Sequence, residues 1–462
     1  MNRVTKRTWL MGVFILVLLG GMVFFLWEYA ARAGEWVVFS GSPHVYNGSN
    51  IGCGTIVDRG GTMLLDITEK RAYAQNETTR KSTLHWLGDR KGYIRADAVS
   101  AYAAQMAGFD LLDGVYGASG TGGEAELTLS ARVQNTALEA MAGRKGTVAV
   151  YNYKTGEILC AVTTPTFDPD NVPDIASDTT GKWDGVYLNR FQQSVYIPGS
   201  IFKVVTTGAA LDCVPGIYDE SFLCTGRIQY GEGEHVATVT CERAHGTMDL
   251  KSALANSCNC AFAQIAELVG RQNMEKYVEQ FQVVEPLKFD GVTTARGNYN
   301  IEGAGAASFA WSCIGQHSNT INPARFMTFM GAIANGGQAM EPYLMAQVKN
   351  GEEITYQAEG KLSDRIMSKE VAETLKAYLR SNVKNIYGDW KFPGGLHVCG
   401  KSGTSQLGGG ERSNAMFAGF VDDERYPLAF ICVVENGGYG SATCIPVLSK
   451  VLSACMSAMD AA

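Results

Sequence analysis

From Thr8 to Trp27 the chain carries no charged residue. As a helix such a run measures about 30 Å, the thickness of a bilayer core, so one membrane-spanning segment is predicted over residues 8–27. Beyond it, short apolar runs broken by turn residues dominate. Thr55-Ile56-Val57 and Met63-Leu64-Leu65 flank the turn Asp58-Arg59-Gly60-Gly61 and predict strands. A helical pattern covers 129–141, and two strand-like runs, 147–151 and 157–162, surround Lys154-Thr155-Gly156 as in a hairpin. Helices are predicted at 204–211, at 250–269 with Ser257-Cys258-Asn259 in it or at its edge, and at 323–334, closed by Asn335-Gly336-Gly337. In the last third, 396–399 enters Gly400-Lys401-Ser402-Gly403-Thr404, while 415–421 and 428–435 form an antiparallel pair across Asp422-Asp423-Glu424, before a final helix over 445–459. Antiparallel strands between helices predict an α/β layer, a sheet covered on its faces, following a small β-containing unit over 28–145.

Composition narrows the class. The 462 residues are 46% hydrophobic and 18% charged, enough for a large core and a smaller companion, with the larger domain running over 146–462. Net charge is −7 and no basic block follows residue 7, which argues against nucleic acid as a partner. Arg3, Lys6 and Arg7 before the apolar run and Glu28 after it place residues 1–7 in the cytoplasm and the remainder outside, in a single-pass cell-membrane protein. Ala31-Arg32-Ala33 resembles a signal-peptide cleavage site, but the apolar run is long for a signal peptide, and a retained anchor is expected. The glycine-rich runs 116–123 and 407–411 are read as loops, since the first lacks the Gly-Lys-Ser/Thr ending of a phosphate cradle.

The twelve cysteines form no paired Cys-x-x-Cys pattern, and Cys258-x-Cys260 is too close to be read as a zinc motif. Cys160, Cys432 and Cys444 sit in apolar runs as small buried hydrophobes. Cys224 and Cys241 flank a segment containing Gly231-Glu232-Gly233, where either free thiols or a loop-closing disulfide would fit. No metal or other cofactor is expected.

Chemistry concentrates at Tyr196-Ile197-Pro198-Gly199-Ser200-Ile201-Phe202-Lys203. A Pro-Gly break feeds a helix start, and Ser200 and Lys203 lie one turn apart on one face, where an amine can take the serine proton. Ser-x-x-Lys also occurs at Ser381-Asn382-Val383-Lys384, in a polar stretch read as a solvated surface. Lys401-Ser402-Gly403 offers a cation, a hydroxyl and a position without a side chain, suited to a peptide carboxylate. The like-patterned Lys154-Thr155-Gly156 is turn chemistry. None of the six histidines falls in a zinc-site or Gly-x-Ser-x-Gly arrangement, which argues against a histidine-based hydrolase.

Ser-x-x-Lys, Ser-x-Asn and Lys-Ser-Gly in that order, at 200, 257 and 401, form the set of penicillin-binding proteins and serine β-lactamases. The chain resembles the monofunctional, class B penicillin-binding proteins from about residue 145 onward. Asn189-Arg190, Pro165-Thr166-Phe167-Asp168-Pro169, Gly315-Gln316, Phe417-Ala418-Gly419-Phe420 and Val434-Glu435-Asn436-Gly437-Gly438 are similar to that family, and Ile56-Val57-Asp58-Arg59-Gly60-Gly61 looks like the start of its membrane-proximal, pedestal-like domain. Ser402 stands where threonine is commoner, and Asn322-Pro323 where Thr-Pro is.

The resemblance implies a peptidoglycan D,D-transpeptidase that crosslinks stem peptides ending in D-Ala-D-Ala, serves cell shape or division, and is acylated by β-lactams. Ser200 would be the nucleophile and Lys203 its base. Ser257 would relay a proton to the leaving amine, Asn259 would bond Lys203 and a substrate amide, and Lys401, Ser402, Gly403 and Thr404 would bind the substrate carboxylate end. The backbone N–H groups of Ser200 and Thr404 would form the oxyanion hole. A membrane glycan polymerase is the implied partner. The rival readings are a D,D-carboxypeptidase or β-lactamase, with water as acceptor, and a non-enzymatic β-lactam-binding scaffold.

Overall fold

The computed structural model describes residues 2–461 apart from 40, 44, 48–49, 111–113, 117–119, 232–235 and 406–411. The loop read over 116–123 therefore lies partly, and the loop over 407–411 and Glu232-Gly233 wholly, outside the described residues. The N-terminal apolar run forms part of the helix Asn2–Val37, in which only Ala33 is buried. Its large apolar side chains, Trp9 to Trp27, face outward, as in a single-pass membrane anchor. The helix Gly440–Met459 is also long and apolar enough to cross a membrane, but it packs on strand Asn414–Val421 and helix Ala131–Met141 as a core element.

The larger sheet has five antiparallel strands in the order Ile158–Thr164, Gly146–Asn152, Leu428–Val434, Asn414–Val421, Val398–Ser405. The inner strands are buried at every position, which explains their unbroken apolar runs: both faces are covered, one by helix Pro323–Ala334 and the other by Ala131–Met141 and Gly440–Met459. Asn322 caps helix Pro323–Ala334 by accepting from Arg325 N at 3.2 Å, while its amide donates to Gln192 O and Ser194 O at 2.9 Å. An asparagine in place of threonine thus both caps the helix and ties it to the segment leading to Ser200.

The second sheet, in the order Glu353–Gln357, Met345–Asn350, Glu124–Leu127, Thr55–Val57, Met63–Asp66, Ala72–Tyr73, takes two of its six strands from beyond residue 146. The expected turn at 58–61 is organised by Asp58, whose carboxylate accepts from Gly60 N and Thr62 N at 2.9 and 2.8 Å and from Ala131 N at 2.8 Å. One side chain therefore links that turn to the start of helix Ala131–Met141.

Three expectations need correction. The helix over 250–269 is two helices, Leu250–Ala255 and Asn259–Val269, broken at Ser257, whose φ of 53° no helix accepts. The last helix begins at Gly440, five residues before the expected start; Thr443 Oγ1 donates to Gly437 O at 2.7 Å, and Pro446 removes one backbone bond without ending it. Ser381–Lys384 is not simply a solvated surface: Asn382 and Val383 are fully buried, because the chain widens there from helix Lys369–Asn382 into a π turn, Val383–Tyr387, against the edge strand.

Helix Pro323–Ala334 approaches the sheet so closely that a methyl at Gly331 would overlap the buried hydroxyl of Tyr151. Gly331→Ala is expected to destabilise the protein by about 1–3 kcal/mol through overpacking, read as a lower thermal midpoint in detergent; Tyr151→Phe in the same background should recover part of that loss.

Candidate active site

Pro198-Gly199 turns the chain so that Gly199–Phe202 forms a 3₁₀ turn leading directly into helix Lys203–Cys213. Ser200 lies in that turn and Lys203 is the first residue of the helix. The turn sits against the free edge of the larger sheet, strand Val398–Ser405. A Cβ on Gly199 would come within 2.6 Å of Thr404 O, and one on Gly403 within 2.7 Å of Pro198 O. Two backbones meet here without side chains between them, which fixes the serine relative to the strand.

Lys203 Nζ lies 3.2 Å from Ser200 Oγ, 3.2 Å from Ser257 Oγ and 2.7 Å from both Ser257 O and Asn259 Oδ1. Lys401 Nζ, from the edge strand, lies 3.1 Å from the same Ser257 Oγ and 2.9 Å from Ser402 O. Ser257 thus joins the two amines, and its left-handed backbone turns both its carbonyl and its hydroxyl toward Lys203. Asn259 opens the next helix and donates to Thr240 O at 2.8 Å, which leaves its amide oxygen to accept from Lys203.

Both lysines have no exposed surface. Burial, reinforced by the nearby Lys401 charge, lowers the pKa of Lys203 from the usual lysine range to about 7, against weaker opposing pulls from Cys241, Cys258 and Glu242. Burial brings Lys401 to about 7 as well, with Glu242 opposing. A neutral amine at 3.2 Å from a half-buried serine hydroxyl is a base poised at physiological pH.

Along the edge strand, Gly400 O accepts from Asn382 at 3.4 Å, Ser402 O from Lys401, and Thr404 O from Gln316 at 3.3 Å. These even-numbered residues therefore point their carbonyls away from the sheet. Since a strand residue's N–H lies on the same side as its C=O, the Thr404 N–H faces outward beside Ser200. Ser402 Oγ pairs with Tyr387 OH at 3.0 Å, and Thr404 Oγ1 accepts from Gly440 N at 3.3 Å.

All the sequence-predicted site residues, Ser200, Lys203, Ser257, Asn259, Lys401, Ser402, Gly403 and Thr404, thus gather at one place. Residues 146–453 match the model of the penicillin binding protein transpeptidase domain. The chain belongs to this family. It is 26% identical over 383 residues to the peptidoglycan D,D-transpeptidase PbpA of Mycolicibacterium smegmatis, covering 76% of each chain, and 24% identical to stage V sporulation protein D of Bacillus subtilis, covering 80% of this chain and 57% of that one. Among solved structures, the D,D-transpeptidase domain of a peptidoglycan glycosyltransferase from Eggerthella lenta superposes with a TM-score of 0.74 at 26% identity, over 87% of this chain and 98% of that one. A ceftriaxone acyl-enzyme of penicillin-binding protein A from Mycobacterium tuberculosis superposes with a TM-score of 0.75 at 22% identity, over 88% and 98%. The family resemblance and the fold class read from the motifs are borne out.

Other residues that resemble this penicillin-binding protein family act as supports. Arg190 donates to Glu435 at 2.7 Å and to the carbonyls of Gly185 and Asp184, and Tyr196 OH donates to the same Glu435 at 2.8 Å, so the lead-in to Ser200 is pinned to the end of the central strand. Arg80 forms a two-point pair with Asp168, both bonds at 2.7 Å, between the membrane-proximal part and the loop after the first hairpin.

Sequence reasoning missed two features. Tyr387 stands 3.4 Å from Lys401 Nζ and accepts from Ser402 N at 3.1 Å; the one local signal was an Ile-Tyr pair before Gly388, at the end of the π turn. Cys224 and Cys241 are free thiols and converge with Cys258 and His245, four donors able to hold a metal ion.

Tyr387→Phe removes the buried hydroxyl that contacts both Lys401 and the Ser402 amide. Covalent labelling by a fluorescent penicillin is expected to slow about tenfold while the thermal midpoint changes little. An unchanged labelling rate would mean that Lys401 keeps its position without the phenol.

Proposed function

We propose that this chain is a peptidoglycan D,D-transpeptidase in which Ser200 attacks the carbonyl between the last two D-alanines of a stem peptide. The observation that carries this reading is the Ser200–Lys203 pair, 3.2 Å apart, with Lys203 brought to about 7 and joined through Ser257 to a second buried amine.

Neutral Lys203 takes the Ser200 proton as Oγ bonds to the carbonyl carbon. The resulting oxyanion is held by the N–H groups of Ser200 and Thr404, donors worth about 3 kcal/mol each. The C–N bond then breaks, and the D-alanine amine leaves with a proton passed from Lys203 through the Ser257 hydroxyl. An amine of a neighbouring stem attacks the acyl-enzyme, forms the crosslink, and returns the proton to Ser200. Lys401 and Thr404 hold the substrate carboxylate, with Ser402 and Gly403 shaping the strand beneath it. In a β-lactam the leaving nitrogen stays tethered after ring opening, so the adduct persists.

We further assign residues 1–7 to the cytoplasm, 8–27 to the membrane, and the membrane-proximal part (28–145) and transpeptidase domain (146–462) to the outside, on the charge asymmetry around the apolar run. A membrane glycan polymerase is the proposed partner, and copurification in mild detergent is the expected result.

Intact mass after incubation with a penicillin tests the central reading: one stable adduct is expected on the wild type and none on Ser200→Ala. Drug consumed without an adduct would instead make water the acceptor, and intact drug without an adduct would make the chain a scaffold. The labelling rate of the wild type is expected to rise with pH and level off above about 7, where Lys203 becomes neutral. Lys401→Met removes a neighbouring positive charge, which favours protonated Lys203 and raises its pKa, so the plateau should move to higher pH.

A further inference from the structure

We propose that Cys224, Cys241, His245 and Cys258 bind one zinc ion that fixes the loop carrying Ser257 and Asn259. The four donor atoms lie within 4.8 Å of one another although they come from three separate segments. Cys224 ends strand Phe222–Cys224, Cys241 follows strand Ala237–Thr240, His245 precedes strand Gly246–Met248, and Cys258 caps helix Asn259–Val269.

The spacings fit a coordination tetrahedron. With Zn–S of about 2.3 Å and Zn–N of about 2.0 Å, its edges are about 3.8 Å between sulfurs and about 3.5 Å between sulfur and nitrogen. Cys241 and Cys258 Sγ are 3.8 Å apart, and His245 Nδ1 is 3.5 Å from Cys224 Sγ and 3.4 Å from Cys241 Sγ. A three-sulfur, one-imidazole set in this geometry selects zinc among common divalent ions. The core cysteines Cys160, Cys432, Cys444 and Cys455, by contrast, belong to the apolar packing of the large sheet.

The local structure gives the ion a task. Strands Phe222–Cys224 and Gly246–Met248 form one two-stranded ribbon and Arg227–Tyr230 and Ala237–Thr240 another, and many of their side chains are exposed. Isolated ribbons are marginal in water, and a metal supplies the crosslink that a small apolar core does not. The Cys258 sulfur is already fixed in place at the helix start, where it accepts from Ala261 N at 3.4 Å. Cys258 lies between Ser257 and Asn259, and Asn259 donates to Thr240 O, next to Cys241. The ion would therefore hold in register the two residues that contact Lys203. The expectation that no cysteine or histidine forms a zinc arrangement gives way here because the ligands are brought together by tertiary structure.

This coupling rests on the role proposed for Ser257 and Asn259, whereas the metal content does not. The full chain, purified in mild detergent under reducing conditions without a metal-binding tag, is expected to carry about one zinc per chain by elemental mass spectrometry. A Cys224→Ala, His245→Ala double variant should lose most of it, and Cys455→Ala should keep it. To separate ligand loss from misfolding of the double variant, cobalt(II) exchanged into the wild type provides a second reading: thiolate-to-cobalt charge transfer and an intense tetrahedral ligand-field band are expected. Wild type that binds neither zinc nor cobalt after incubation and desalting, a double variant that holds zinc as well as the wild type, or a non-reducing peptide map with Cys241 in a disulfide would overturn the site. Stripping the zinc should slow penicillin labelling about tenfold, with recovery on adding zinc back; labelling indifferent to zinc would overturn the coupling alone. Zinc bound in a protein that penicillin never labels would leave the site standing and remove the transpeptidase reading.

Discussion

Two lysine amines, Lys203 and Lys401, are buried side by side with one serine hydroxyl between them, and the architecture around them supplies what that arrangement requires. Taking an amine out of water costs several kcal/mol unless its protons find acceptors or it gives one up. The acceptors around Lys203 are neutral: two hydroxyls, a carbonyl and an amide oxygen. They solvate the amine without locking it as a cation, so burial and like-charge repulsion can bring it to about 7. A carboxylate in direct contact would have held the proton and removed the base. Glu242 acts only as a background charge that opposes the shift in both lysines.

Each segment that meets at the amines is positioned by a different part of the fold, so the site depends on their mutual packing. The edge strand brings Lys401 and is held against the serine turn by backbone contact at Gly199 and Gly403. The loop at Ser257 is a break between helices, and Arg190 and Tyr196 fasten the approach to Ser200 onto Glu435. The membrane-proximal part is interlocked with the same sheet: Gln134 accepts from Ala161 N at 2.9 Å, Trp86 donates to Ala161 O at 2.7 Å, and two strands from 345–357 complete the other sheet. A division at residue 145 describes the sequence motifs better than it describes the hydrogen bonding.

What the sequence disclosed follows from how local each signal is. Ser200 and Lys203 were legible because a helix puts residues three apart on one face, and the strands of the large sheet because burial on both faces leaves continuous apolar runs. Ser257 and Asn259 could be chosen only through family resemblance, since a serine and an asparagine near a helix start otherwise read as caps. Tyr387 was invisible because its contacts with Lys401 and Ser402 cross fourteen and fifteen positions of chain through a π turn that no periodicity announces. Asn382 misled for the same reason: a polar residue in a polar stretch is fully buried because Gly400 O needs a donor there. The thiol and imidazole cluster draws on spacings of sixteen, three and twelve intervening residues, a pattern that only the folded ribbons make meaningful.

The edge strand also constrains how an extended peptide can approach. Its outward groups at Ser402 are already engaged, the N–H by Tyr387 and the carbonyl by Lys401. At Thr404 the carbonyl is held, among the described residues, by the Gln316 side chain at 3.3 Å. A peptide pairing with the strand can exchange that single flexible contact for a ladder bond, whereas pairing at Ser402 would require breaking the bonds that keep Lys401 in place. The strand is thus closed at its lysine end and open at its threonine end. The same hydrogen bonds that stabilise a buried amine would thereby direct an extended peptide toward the threonine end, the part of the strand that lies beside Ser200.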